Sequence, residues 1–234
     1  MPRMKFLTTT EQQAFDSPPE FNASERKRFF VITDGLQKIL DSLKTPTNQV
    51  CFVLSVGYFR AAKRFFSRQF READVRFVAA RLGYIPEVVG VEEYEKSRFT
   101  RHRNQILDYL GYGVFDAAVA KELTPPIRSM VRARMAPKFI LARLVEILES
   151  AKTEVPSARI LAELIGDETQ RHEAELSALL INELTSKQRA LLNDLFDKEG
   201  DSDASRMKLT LLKRFSQSTK PRNPFVPMHL IVVN

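Results

Sequence analysis

The chain has 234 residues, enough for one or two domains or for several small helical modules in series. At 44% hydrophobic it can bury real cores, and 36 Lys and Arg against 29 Asp and Glu leave a net charge of +7, which points to a polyanion such as nucleic acid or a membrane surface. No apolar run approaches the roughly 20 residues of a spanning helix, and the first ten residues lack the apolar core of a signal peptide. The expected location is therefore the cytoplasm, associated with the nucleoid. A single cysteine, Cys51 within VCFVLSV, excludes an internal disulfide and reads as a buried structural thiol.

Eight glycines, no tryptophan and apolar residues recurring every three to four positions predict an all-α protein of serial small helical modules. In chain order, Thr8 with Glu11 reads as a capping box. Thr33 precedes DGLQKILDSL, in which Leu36, Ile39, Leu40 and Leu43 share a face. Thr47 is placed to cap a helix through Cys51, Leu54, Val56, Tyr58 and Phe59, apolar nearly all round and so the core of a first module, residues 1–68. A basic connector then spaces Arg60, Lys63, Arg64, Arg68 and Arg71 among Phe65, Phe66 and Phe70. Those cations suit phosphate contacts, while the aromatics suit a core better than a stacking platform for bases.

The second module, residues 69–153, opens with EADVRFVAARLG, a helix closed by Gly83 in the left-handed cap position, and IPEVVGVEEY restarts at Pro86. With a helix from Arg101 this makes a helix-turn-helix-like order. The stretch SRFTRHRNQILDYLGYGVF gathers Arg98, Arg101, His102 and Arg103 with no acid in its first half. Cations at a helix N-terminus oppose the helix dipole unless an anion arrives. A helix starting near Arg101 sets Arg101, Asn104, Gln105 and Asp108 on a polar side and turns Ile106, Leu107 and Leu110 to a core. Arg, Asn and Gln are the side chains that pair bidentately with guanine or adenine edges in the major groove. From Thr124, TPPIRSMVRARMAPKFILARLV starts with a cap and prolines and divides at Pro137; it carries Arg128, Arg132, Arg134, Lys138 and Arg143 without an acid.

A third module, residues 154–220, changes after Pro156 to mixed charge, with Ile160, Leu161, Leu164, Leu176, Leu179 and Leu180 on an apolar side. Gly166 either breaks that helix or is tolerated in it. Thr185 and Gln188 form another capping box, KEGDSDAS reads as a polar linker and RMKLTLLKRFSQSTK as a short basic segment. Residues 221–234, RNPFVPMHLIVVN after Pro221, resemble nothing before them. No catalytic constellation is visible: His102, His172 and His229 are scattered, and metal-spaced Cys/His sets, phosphate-cradling Gly-rich loops and nucleophile elbows are missing. The expectation is a chain that is not an enzyme, with no catalytic residue, no metal and no cofactor.

The order of MPRMKFLTTTEQQAF, VCFVLSVGYFRAAKRF, VRFVAARLG, FTRHRNQILDYLGY, RARMAPKFILARLVE, LTSKQRALLNDLF and LTLLKRFSQSTKP resembles the N-terminal region of the Tn-three type of replicative transposases, from Met1 to about Pro221. The resemblance implies all-helical modules that recognise the terminal inverted repeats of a transposon in double-stranded DNA. The catalytic carboxylates of such enzymes belong to a domain farther along the chain. Arg101, His102 and Arg103 match in one segment, and Arg132, Arg134 and Pro137 in another. The departure after Pro221 reads as truncation of a transposase gene by a frameshift or an early stop. The expected function is thus sequence-specific binding of inverted-repeat DNA by a non-catalytic fragment. The alternative is a regulatory or interaction remnant that binds full-length transposase without reading DNA. RNA binding is a weaker third, since no single-strand-binding signature is present.

Overall fold

The computed structural model describes residues 7–190. They form an all-α protein: α1 (Thr9–Asp16), α2 (Ala23–Phe29), α3 (Asp34–Asp41), α4 (Pro46–Ala62), α5 (Glu72–Arg81), α6 (Lys96–Leu110), α7 (Ala117–Arg132), α8 (Pro137–Ser150) and α9 (Ala158–Glu183), with 3-10 turns at Pro86–Val88 and Val91–Glu93. Among the described residues the only β pairing is an isolated bridge between Gly113 and Thr153. The chain divides into two compact units, Met1–Glu173 and Ala174–Asn234.

Capping chemistry explains most of the starts. Thr8 accepts from the Glu11 amide while Glu11 reaches back to the Thr8 amide, and Asn22 and Glu25 repeat the exchange before α2. Thr33 accepts from the Leu36 amide to open α3. The cap of α4 is Thr45 rather than Thr47, because Pro46 takes the first helical position, where a missing amide hydrogen is harmless. Gly83 has φ +78°, the left-handed turn after α5 that a side chain would strain. Pro137 opens α8 as expected, and Gly166 is carried inside α9.

Two other starts differ from the sequence reading. α6 begins five residues before Arg101, so Lys96 and Arg98 occupy its first turn and Arg101 its second. α7 begins at Ala117, capped by the Asp116 carboxylate on the amides of Ala118 and Val119. Thr124 therefore does not open a helix. Pro125 and Pro126 stand within α7, and Thr124 returns its hydroxyl to the Ala120 carbonyl at 3.4 Å.

Two hydrophobic clusters organise the first unit. The larger is built on α4, eleven of whose residues are buried, from Asn48 to Phe59. It takes in Phe21, Phe30, Leu36, Leu40, Val75, Val78, Ile106 and Leu107 from the surrounding helices. Residue 68, the expected edge of the first module, lies within the stretch this cluster spans. Aromatic rings fill much of the cluster: Phe21, Phe30, Phe66 and Phe70 lie within 6.3 Å of the Tyr58 ring, centroid to centroid. Packing around Gly57 is so close that a β-carbon there would come within 2.2 Å of the Phe30 ring. The second cluster joins α7, α8 and the first half of α9 through Leu123, Ile127, Ile140, Leu144, Leu148, Leu161 and Ile165.

In the second unit, Leu176, Leu179, Leu180 and Ile181 are exposed on the last turns of α9. Thr185 and Gln188 exchange the expected capping bonds. The polar linker from Lys198, the basic segment after it and the divergent tail lie outside the described residues.

Candidate nucleic-acid interface

The connector cations expected to meet phosphate are turned onto the chain itself. Arg60 donates to the carbonyls of Phe29 and Val31, at 3.0 and 2.7 Å, just past the end of α2. Lys63, left-handed at φ +54°, folds its ammonium onto the Arg60 carbonyl. Arg68 donates to the Tyr94 carbonyl. Arg71 donates from Nε and Nη2 to the Pro18 carbonyl and pairs through Nη1 with Glu20. Arg64 is buried: Nη2 meets Asp16 Oδ1 at 2.5 Å, the guanidinium lies 4.0 Å over the Phe15 ring, and burial lowers its pKa. Apart from Lys63, which closes the end of α4 itself, these cations reach groups at the ends of other elements: the Phe29 and Val31 carbonyls at the end of α2, the Pro18 carbonyl with Asp16 and Glu20 around the end of α1, and the Tyr94 carbonyl before α6.

α6 divides its polar residues by face. His102 is buried, its Nδ1 2.6 Å from the Tyr94 hydroxyl and its ring edge-on to Phe52. Burial, then the charges of Arg101 and Arg98, push its pKa down to about 4. It is therefore neutral at neutral pH and out of reach of a surface phosphate, a correction to its place in the basic run. Arg103 lies on Glu154 through Nε and Nη2; Glu154 is buried and also accepts from the Phe115 amide. That pair ties α6 to the segment between α8 and α9.

The opposite face is open. Arg101 and Asn104 are exposed and Gln105 is half-buried, and with Asp108 they line a groove of about 890 Å³. Arg98 lines it too, held 3.3 Å from Glu95. No carboxylate among the described residues lies within ion-pair distance of Arg101. The other wall is the turn between α3 and α4, through Ser42 and Lys44, with Asn48 from the first turn of α4. These residues escape a sequence reading because only folding sets them across from α6; the four-residue turn SLKT between two helical patterns is the one signal that marks the place. A second groove of about 1090 Å³ beside α5 has Arg68 and Arg76 against Glu72, Glu87 and Glu92, a balance unsuited to a polyanion.

The acid-free run of α7 and α8 draws its counter-charges from elsewhere in the chain. Arg128 meets Glu168 at 2.9 Å, Lys138 meets Glu11, and Arg143 meets Glu146 at 2.5 Å. The Lys138 ammonium, then the Thr8 amide, hold the Glu11 carboxyl down at about 2. Arg132 and Arg134 are exposed, Arg134 at φ +55° in the turn between the helices. Sequence reasoning passed over Phe139, which stands 68% exposed beside Lys138.

Among the described residues no group of three or more His, Cys, Asp or Glu side chains is placed to hold a metal ion, and no helix is long and apolar enough to cross a membrane. A comparison with curated proteins finds no match. A family model described as a domain of unknown function, DUF4158, matches residues 6–167, which span both hydrophobic clusters and the α6 groove. That match covers more than two thirds of the sequence, and the chain belongs to this family.

Proposed function

We propose that the chain binds duplex DNA sequence-specifically, at the terminal inverted repeats of a transposon, as a non-catalytic part of a transposase of the Tn-three type acting in the cytoplasm on nucleoid DNA. The supporting observation is the open face of α6. Arg101, Asn104 and Gln105 are the residue types that read base edges in the major groove, and they share a polar groove on a helix whose other face is locked by Ile106, Leu107 and the His102–Tyr94 bond. A rigid helix with its readers outward is the arrangement direct readout needs. Lys44 and Arg98 at the groove, with the exposed Arg132, Arg134 and Lys138, supply cations for flanking phosphates.

A gel-shift series against salt tests the proposal. Inverted-repeat DNA from the encoding element should outcompete scrambled duplex by a large ratio. If about six phosphates are neutralised, the log-log slope should be near −5. Equal affinity for both duplexes with a flat salt response would overturn it. Magnesium or manganese should elicit neither cutting nor joining of DNA, because two-metal phosphoryl transfer needs a carboxylate set holding ions ~4 Å apart.

A second reading, binding of a transposase partner, draws on a different observation. Leu176, Leu179 and Leu180, at helical spacing near the end of α9, are all exposed. Co-sedimentation with full-length transposase in the absence of DNA would favour it.

A further inference from the structure

Phe139 has the greatest fractional exposure of the large apolar side chains among the described residues, at 68%. It stands on the first turn of α8, and Ala142, Arg143 and Glu146 continue the same exposed face at helical spacing. The opposite face of α8 is fixed in the second cluster by Ile140, Leu141, Leu144 and Leu148. The aromatic ring is thus held in water on a rigid support. At the end of α7, in the turn that follows and along the start of α8 stand the exposed Arg132, Arg134, Lys138 and Arg143, of which Lys138 meets Glu11 and Arg143 meets Glu146. Four cations against two carboxylates leave this end of α8 positive, the charge that a phosphate backbone complements.

We propose that α8 enters the major groove of duplex DNA and that Phe139, with Ala142 beside it, contacts the C5-methyl groups of thymine, so that this face selects A·T pairs where it meets them. The inference rests on the reading of the chain as a duplex-DNA binder and adds a second, chemically different reader to the polar one on α6. Apolar contact with the thymine methyl is the one element of the major-groove code that an alanine or a phenylalanine can read. The location suits it: a four-residue turn, Ala133 to Ala136, joins α7 to α8, and the first residues after such a turn are the ones that reach base edges. Lys138 and Arg143 can transfer from their surface carboxylates to phosphates, because exposed ion pairs in water hold weakly.

The full chain should first be used to enrich a binding site from a pool of randomised duplexes. The enriched duplex is then remade with each thymine in turn replaced by deoxyuridine, which removes the C5 methyl and nothing else. At one or two positions the replacement should weaken binding about fourfold, the equivalent of one buried methyl group. Phe139→Ala, whose side chain is too short to reach the methyl that the ring touches, should weaken binding to the thymine duplex by about tenfold and be indifferent to uracil at the one position the ring reads, any position read by Ala142 keeping its effect. Circular dichroism checks that the variant is folded, and the uracil series on the unaltered chain needs no variant at all. An enriched site that tolerates every uracil overturns the proposal, as does a set of uracil effects that all survive in Phe139→Ala. A pool that never enriches overturns the DNA-binding reading and this inference with it, whereas enrichment that depends on Arg101 and not on Phe139 overturns this inference alone.

Discussion

The connector between α4 and α5 and the outer face of α6 have similar densities of cations in the sequence and opposite fates in the structure. Arg60, Arg68 and Arg71 end on backbone carbonyls, and Arg64 is buried against Asp16. Arg101 faces a groove beside Asn104 and Gln105. The difference follows from what the backbone does nearby. A chain that bends out of a helix leaves carbonyls unpaired, and a guanidinium with five donors is well suited to satisfy them. The second and third turns of α6 offer Arg101 neither a loose carbonyl nor a carboxylate within ion-pair distance, so among the described residues it is left facing the groove, whereas Arg103, on another face of the helix, finds Glu154. Counting basic residues does not separate these cases; knowing where the helices end does.

The contrast can be broken most forcefully at Arg64. Arg64→Ala removes the charged one of the two donors to the Asp16 carboxylate and opens a space between Phe15 and Phe66, so urea unfolding should show a loss of about 3 kcal/mol, most of it from the lost packing. An unchanged midpoint would mean that the connector is no more structural than α6. Arg101→Ala should do the reverse: unfolding unaltered, but cognate affinity down by about 1–3 kcal/mol with relaxed preference at one base pair. Stability lost without any change in DNA selectivity would move Arg101 to the structural side. Arg71→Ala removes two donors from the Pro18 carbonyl, and with the guanidinium partly exposed the expected cost is about 1 kcal/mol of stability. DNA binding by the folded variant should be untouched. The smallest effect is expected from Lys138→Ala, which should weaken cognate and scrambled DNA alike and lower the salt slope by about one unit; a selective loss on cognate DNA would make Lys138 a base reader instead.

The helical class and much of the capping are readable in the sequence because they depend on neighbours three or four residues apart. Thr8 with Glu11, Thr33, and Thr185 with Gln188 all behave as local chemistry dictates. Where several local signals compete, the reading slips, by two residues in one case and by about two turns in another. Pro46 moves the cap from Thr47 to Thr45, and Asp116 starts α7 ahead of a proline pair that looks like a beginning. The faces of α6 are also legible, since the spacing that buries Ile106 and Leu107 turns Arg101 and Asn104 outward. Partners distant in sequence are not legible. Nothing in TRHR shows that Arg103 will meet Glu154, 51 residues on, or that His102 will lie under Tyr94. The acid-free run after Leu123 is likewise acid-free only along the chain, because Glu11 and Glu168 come from far away to meet it.

One carboxylate also sets a schedule for assembly. Asp16 Oδ1 accepts both from Arg64 and, at 3.1 Å, from the amide of Ala158, a separation of 142 residues. On a ribosome adding roughly 5–20 residues each second, Asp16 is synthesised about 7–30 s before its second partner. Arg64 follows Asp16 by 48 residues, well inside that interval, whereas the start of α9 comes only at its end. The α4 cluster can therefore form while the nascent chain is still growing, whereas the seating of α9 is necessarily late.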